Sequence, residues 1–129
     1  MKKRTGILVI LLLLLAVLAL GANSFLAPKT AAGEKRICVT VEHSNGTVSD
    51  FFHETREEYL RGAMEELGIL EGVEDTYGLW VTAVDGETAA EGKQQWWGYT
   101  VNGADAAYGV DYQVISDGDT FVFTLHTGY

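Results

Sequence analysis

The sequence predicts an α+β domain in which one helix lies across a mixed β-sheet. Three observations lead there. Segments that alternate apolar and polar residues bracket a single segment with apolar residues at helical spacing. Asn-Gly and Asp-Gly pairs, the strongest short hairpin and turn signals, recur at Asn45-Gly46, Asp85-Gly86, Asn102-Gly103 and Asp117-Gly118. The order is hairpin, helix, then several strands, and a helix of that kind buries its apolar stripe against the sheet.

Taken in order, Arg36 to His43 (RICVTVEH) alternates, with Ile37, Val39 and Val41 on one face. With Asn45-Gly46 as a two-residue loop, Ser44 pairs with Thr47 and Cys38 stands opposite His53 in the returning strand. Val48 and Phe52 then join the buried face. Thr55-Arg56-Glu57-Glu58 reads as a capping box, with Thr55 as N-cap and Glu58 three residues on. Leu60, Ala63, Met64 and Leu67 form the inward stripe of the helix, and Gly68 suits its C-terminal cap. Gly62 inside it permits a close approach to a strand. Strands follow at Leu79 to Val84 (LWVTAV) and Trp96 to Val101 (WWGYTV), with a short one at Gln113 to Ile115. Thr120 to Thr127 (TFVFTLHT) closes the sheet with Phe121, Phe123 and Leu125 inward. Glu87 to Gln95 is polar, a loop or ragged edge. This order of elements is that of a β-grasp.

The N-terminus has a different character. Lys2, Lys3 and Arg4 precede an unbroken apolar run from Gly6 to Leu20, so residues 1–27 read as a signal peptide or an N-terminal membrane anchor. A spanning helix needs about 20 apolar residues, a length that residues 6–27 reach only with Gly21 to Ala27 included, Asn23 and Ser24 among them. The basic flank stays cytoplasmic and the rest is extracytoplasmic, anchored or secreted. Residues 28–34 form a short linker, and residues 35–129 the folded domain. From Lys29 onward there are six bases against 18 acids, a net charge near −12. That excludes nucleic acid as a partner and disfavours an anionic membrane surface. The single cysteine excludes an internal disulfide.

The stretch Gln94 to Tyr112 (QQWWGYTVNGADAAYGVDY) holds two of the three tryptophans and three of the six tyrosines. It contains the strand Trp96-Trp97-Gly98-Tyr99, the turn Asn102-Gly103 and the loop Gly109-Val110-Asp111-Tyr112, with the turn Asp117-Gly118-Asp119 beyond. On these motifs the chain resembles the transcobalamin C-terminal-like domain family, in its stand-alone form from exported bacterial proteins. The resemblance implies a β-grasp-like fold and binding without catalysis. In the cobalamin carriers this domain covers one face of the corrin ring and a larger helical domain holds the other. The chain has no room for that helical domain. Cobalamin or a related corrinoid is therefore a possible ligand, with no cofactor required and with a partner protein needed to complete the site.

The candidate ligand-binding residues are Trp96, Trp97, Tyr99, Asn102, Tyr108, Gly109, Val110, Asp111 and Tyr112. Trp97 shares its parity with Tyr99 and Val101, which assigns it to the core. Trp96, Tyr108 and Tyr112 are the freer rings. Aromatic packing beneath a Gly-rich loop accounts for each of them equally well. Cys38 opposite His53 suggests a thiol and its base, without a third orienting residue. His43, His53 and His126 lack the spacing of a zinc site, and at most one could act as a lone axial ligand to cobalt or iron. Asp117-Gly118-Asp119 does not match a calcium loop. The rival reading is a surface domain whose aromatic loop meets a protein or a polysaccharide.

Overall fold

The computed structural model describes residues 33–129. The expected leader, residues 1–27, and most of the linker fall outside them. Within the described residues, β1 (Lys35–Glu42) and β2 (Val48–Thr55) precede the helix α1 (Leu60–Leu67). A second group follows: β3 (Leu70–Asp75), β4 (Gly78–Val84) and β5 (Glu87–Thr88), then a single 3₁₀ turn, Glu91–Lys93. The chain ends with β6 (Gln95–Val101), β7 (Ala104–Asp105) and β8 (Thr120–Thr127). They make a five-stranded sheet in the order β2-β1-β8-β6-β7 and a three-stranded sheet β3-β4-β5. β1 and β8 run parallel at the centre of the larger sheet, and the other pairs are antiparallel. The class is α+β, as expected, but with two sheets in place of one.

The first hairpin departs from its expected register. Glu42 pairs with Val48, and the His43 N–H donates to Thr47 O at 2.8 Å, so the loop is Ser44-Asn45-Gly46, three residues long. Gly46 sits at φ +87°, the left-handed position that a three-residue hairpin loop requires. The cause is local. The Asn45 side chain accepts the Thr47 N–H at 2.9 Å, the donor a two-residue turn would have used in the ladder. A slip of one residue turns the whole of β2 over. Phe51, not Phe52, packs on the core, while Phe52 is 81% exposed and Val48 lies outside as well. Cys38 faces Phe52, and His53 faces Ile37 on the opposite side of the hairpin, so the thiol and imidazole never meet.

The helix also starts later than its sequence signal. Thr55 is the last residue of β2 and is buried; its hydroxyl accepts the Glu57 N–H at 3.0 Å and donates to Glu66 at 2.5 Å. Tyr59 occupies the N-cap and makes no side-chain cap bond. The free N–H groups of the first turn are met by main chain instead. Leu60 N–H donates to Gln113 O at 2.8 Å and Arg61 N–H to Val110 O at 3.0 Å. The expected strand at Gln113 to Ile115 is reduced to one bridge, Tyr59 to Val114. The 110–113 loop is therefore the cap of α1 and is fixed by it. Gly68 ends the helix in the left-handed conformation, as expected. The group crowding Gly62 is the Glu57 side chain, not a strand.

One core joins these parts. Ile37, Val39 and Val41 of β1, Leu60, Ala63 and Met64 of α1, Trp97 of β6 and Phe121 and Phe123 of β8 pack with Val84 of β4, Val110 and Ile115. The β3–β4 hairpin was not legible beforehand, because β3 is mostly exposed and carries no alternation.

Candidate functional site

β6 presents two faces. On the inner face Trp97 is 8% exposed, and its indole N–H donates to Glu87 O at 2.9 Å. Tyr99 stacks on Phe123 with ring centres 4.9 Å apart, and its hydroxyl donates to Tyr108 O at 2.5 Å. Burial pushes the Tyr99 phenol up to about 12, so it remains a donor at any ordinary pH. On the outer face Trp96 stacks on its cross-strand partner His126 at 4.4 Å, and its indole N–H donates to Gly128 O at 2.8 Å. Both rings lean over Gly98, where a Cβ would fall 2.7 Å from Trp96 and 3.1 Å from His126. Glycine is needed there to let them lie flat.

Two concavities open beside Gly109. An open groove of about 550 Å³ runs over the outer face, between Trp96, Gly98, Thr100 and His126 on β6 and β8, and Asp105 at the end of β7 with Ala106, Tyr108 and Gly109 on the loop that follows. A smaller hollow of about 150 Å³ lies between β4 (Leu79, Trp80, Val81), β6 and Gly109-Val110. Trp96, Trp97, Tyr99 and Gly109 line both.

The other predicted residues divide by role. Tyr108 and Tyr112 are more than half exposed, Tyr108 on the groove wall. Val110 is buried in the core. Asn102, at φ +50°, spans its turn, with its amide N–H donating to Asp119 at 2.8 Å and its amide oxygen accepting the Thr120 N–H at 2.8 Å. Asp111 lies between α1 and β4. It accepts from the Arg61 guanidinium at 2.6 Å and from the Leu79 N–H at 2.5 Å. Burial alone would raise its pKa, but the Leu79 N–H and the hydrogen bond and charge of Arg61 outweigh burial and hold the carboxyl below the usual range. Gly78, at φ +111°, leaves room for this carboxylate, since a Cβ there would stand 2.6 Å from it.

Among the lining residues outside the sequence-predicted set, Trp80, Gly98 and His126 shape the walls. Trp80, half-exposed, forms a wall of the hollow, and its parity against Leu79 and Val81 was the available signal. Gly98 and His126 join only through the β6–β8 register, which no local pattern states.

A separate polar cluster lies at the β4–β5 turn. The His43 imidazole binds Glu87 through Nδ1 and Asp85 through Nε2, both at 2.9 Å, and meets the Trp97 ring edge-on. Asp85, followed by Glu87, raises the His43 pKa above its ordinary value. The Ser44 hydroxyl and N–H bind the same Glu87, whose carboxyl is held low chiefly by that hydroxyl. The two carboxylates take opposite edges of one ring and share no vertex. Among the described residues, no three His, Cys, Asp or Glu side chains converge as a metal site.

A family model described as "Domain of unknown function (DUF4430)" matches residues 58–127. The chain belongs to this family. The match spans α1 through β8 and so contains every residue that lines the groove and the hollow. The crystal structure of a candidate metal binding protein from Ruminococcus gnavus is 41% identical, with a TM-score of 0.72, over 74% of this chain and 99% of that one. Haptocorrin, in a crystal structure of its complex with Cbi, shares the fold at a TM-score of 0.67 and 13% identity, over 79% of this chain and 27% of haptocorrin. No curated protein matches the chain.

Proposed function

We propose that this member of the family is a non-enzymatic, extracytoplasmic binding module that lays a flat, largely apolar ligand in the groove beside Gly109, with cobalamin or a related corrinoid as the favoured ligand. The observation that carries the reading is the groove itself: about 550 Å³, floored by Gly98, with the Trp96–His126 stack and Tyr108 along its sides. The central parallel pair β1–β8 and the helix packed beside it support the β-grasp-like, transcobalamin-like assignment. The likeness to haptocorrin supports the ligand class, and the apolar leader supports the extracytoplasmic address.

The groove is open on one side. Burying a few hundred Å² of apolar ligand gives roughly 5–10 kcal/mol at about 25 cal/mol per Å². Association costs an estimated 4–15 kcal/mol. A module of this size therefore binds weakly alone, and a partner protein closes the site.

Titrating the full chain with cyanocobalamin, read by tryptophan fluorescence with inner-filter correction, tests the proposal. Saturable quenching is expected, weakened at least several-fold by Trp96→Ala. Absence of saturable quenching at millimolar ligand would remove the corrinoid. The rival, a surface domain for a protein or polysaccharide, draws support from Tyr77 and Phe52, exposed and outside both concavities. It predicts adhesion to cell-wall polymer that survives Trp96→Ala and falls with Tyr77→Ala.

A further inference from the structure

The main chain of β6 carries information that its side chains do not. Residues of even number turn their hydrogen-bonding groups toward β8. Gln94 O accepts from Gly128 N–H at 2.9 Å, and Asn102 N–H donates to Thr120 O at 2.8 Å. Residues of odd number turn the other way. Gln95 N–H donates to Ala90 O at 3.1 Å, and Tyr99 O accepts from Ala106 N–H at 3.2 Å. On that second edge β7 pairs only with Thr100 and Val101. Trp97 therefore directs both its N–H and its C=O to an edge where, among the described residues, neither finds a main-chain partner. The residue is nearly buried, and a buried peptide group without a partner is costly. The edge lies where the groove and the hollow meet, since Trp97 lines both.

We propose that the Trp97 N–H and C=O form a binding site for a carboxamide, a donor–acceptor pair on the rim of a flat ligand. The peptide N–H donates to the carboxamide oxygen and the peptide C=O accepts from the carboxamide N–H. The dimensions select a small ligand over an added β-strand. Ala90 takes only the Gln95 N–H and Ala106 only the Tyr99 C=O, so the open stretch runs from the Gln95 C=O to the Tyr99 N–H, and Trp97 is the one residue in it that offers both groups. An augmenting strand pairs over several residues, whereas one carboxamide needs only this one. A carboxylate in the same place would supply no donor and would face the Trp97 C=O. The inference rests on the binding reading of the groove and specifies the polar group that the ligand carries.

The test compares naphthalene-2-carboxamide, naphthalene-2-carboxylate and the N,N-dimethylcarboxamide, each titrated into the ¹⁵N-labelled full chain. The carboxamide is expected to move the Trp97 amide proton downfield and to bind roughly tenfold more tightly than the other two, as two modest hydrogen bonds imply. An ester in place of the Trp96–Trp97 peptide bond removes the N–H while keeping every side chain, and should abolish that preference. Equal binding of the three probes, an unmoved Trp97 amide proton, or no response at millimolar probe overturns the proposal. Cyanocobalamin run beside them separates the two readings. Quenching without a Trp97 response sinks the carboxamide site alone, and a Trp97 response to naphthalene-2-carboxamide without quenching sinks the corrinoid alone.

Discussion

The two sheets are held by different forces. The five-stranded sheet buries its inner face: Ile37, Val39, Val41, Phe121 and Phe123 are each 4% exposed or less. In the three-stranded sheet only Ala83 and Val84 reach that state, and β3 exposes five of its six residues. Polar ties hold the small sheet in place. Asp111 takes the Leu79 N–H, Arg61 binds Glu74 and Asp111, and His43 binds Asp85 and Glu87. The hydrophobic effect thus dominates one wall of the hollow, while at the other ionisable groups add to the packing of Leu79, Val81 and Val84 on the core. The β4 wall, carrying Trp80, should respond to charge and pH while the β6 wall does not.

The largest effect should come from breaking the shared core. Phe121→Ala removes a fully buried ring and should cost about 3–5 kcal/mol. Denaturant unfolding would show both sheets melting together; survival of the small sheet would refute the shared core.

Asp111→Asn comes next. It keeps an acceptor for Leu79 but loses the charge that pairs with Arg61, at a cost of roughly 1–2 kcal/mol near neutral pH. Because the folded Asp111 carboxyl titrates below its ordinary range, its contribution is present above the unfolded pKa and fades as pH falls through the folded one. Wild type and variant should therefore converge in acid, with faster Leu79 amide exchange in the variant above that range.

His43→Gln should give the smallest change, and one of opposite pH dependence. Only the protonated imidazole can donate to Asp85 and Glu87 together. With the folded pKa raised, the stabilisation is complete below about 6.5, the unfolded value, and is lost as pH rises through the folded value. The wild-type advantage in Tm should shrink toward alkaline pH. An advantage unchanged across that range would mean that packing against Trp97, not charge, is what His43 supplies.

Much of the fold was written in local patterns. The alternation of β1, β6 and β8, the Asp85-Gly86 and Asn102-Gly103 turns and the stripe Leu60, Ala63, Met64 all appear where short-range chemistry places them. The failures have one physical origin, a group engaged by something distant or unexpected in sequence. Asn45 took the Thr47 N–H and turned β2 over. Val110 and Gln113 capped the helix in place of Thr55. Asp111 has in addition a partner that no local pattern states, Arg61 fifty residues away.

The same division applies to the site. By itself the sequence determined that an aromatic strand meets a glycine-bearing loop, because ring content and turn chemistry are properties of adjacent residues. It also settled which face of that strand holds Trp97, through the period of two. The tertiary structure alone decided that His126 lies on Trp96 over Gly98, that Trp80 walls a hollow, and that the peptide group of Trp97 faces an open edge. These are matters of register and of contact between strands, and no stretch of chain shorter than the fold contains them.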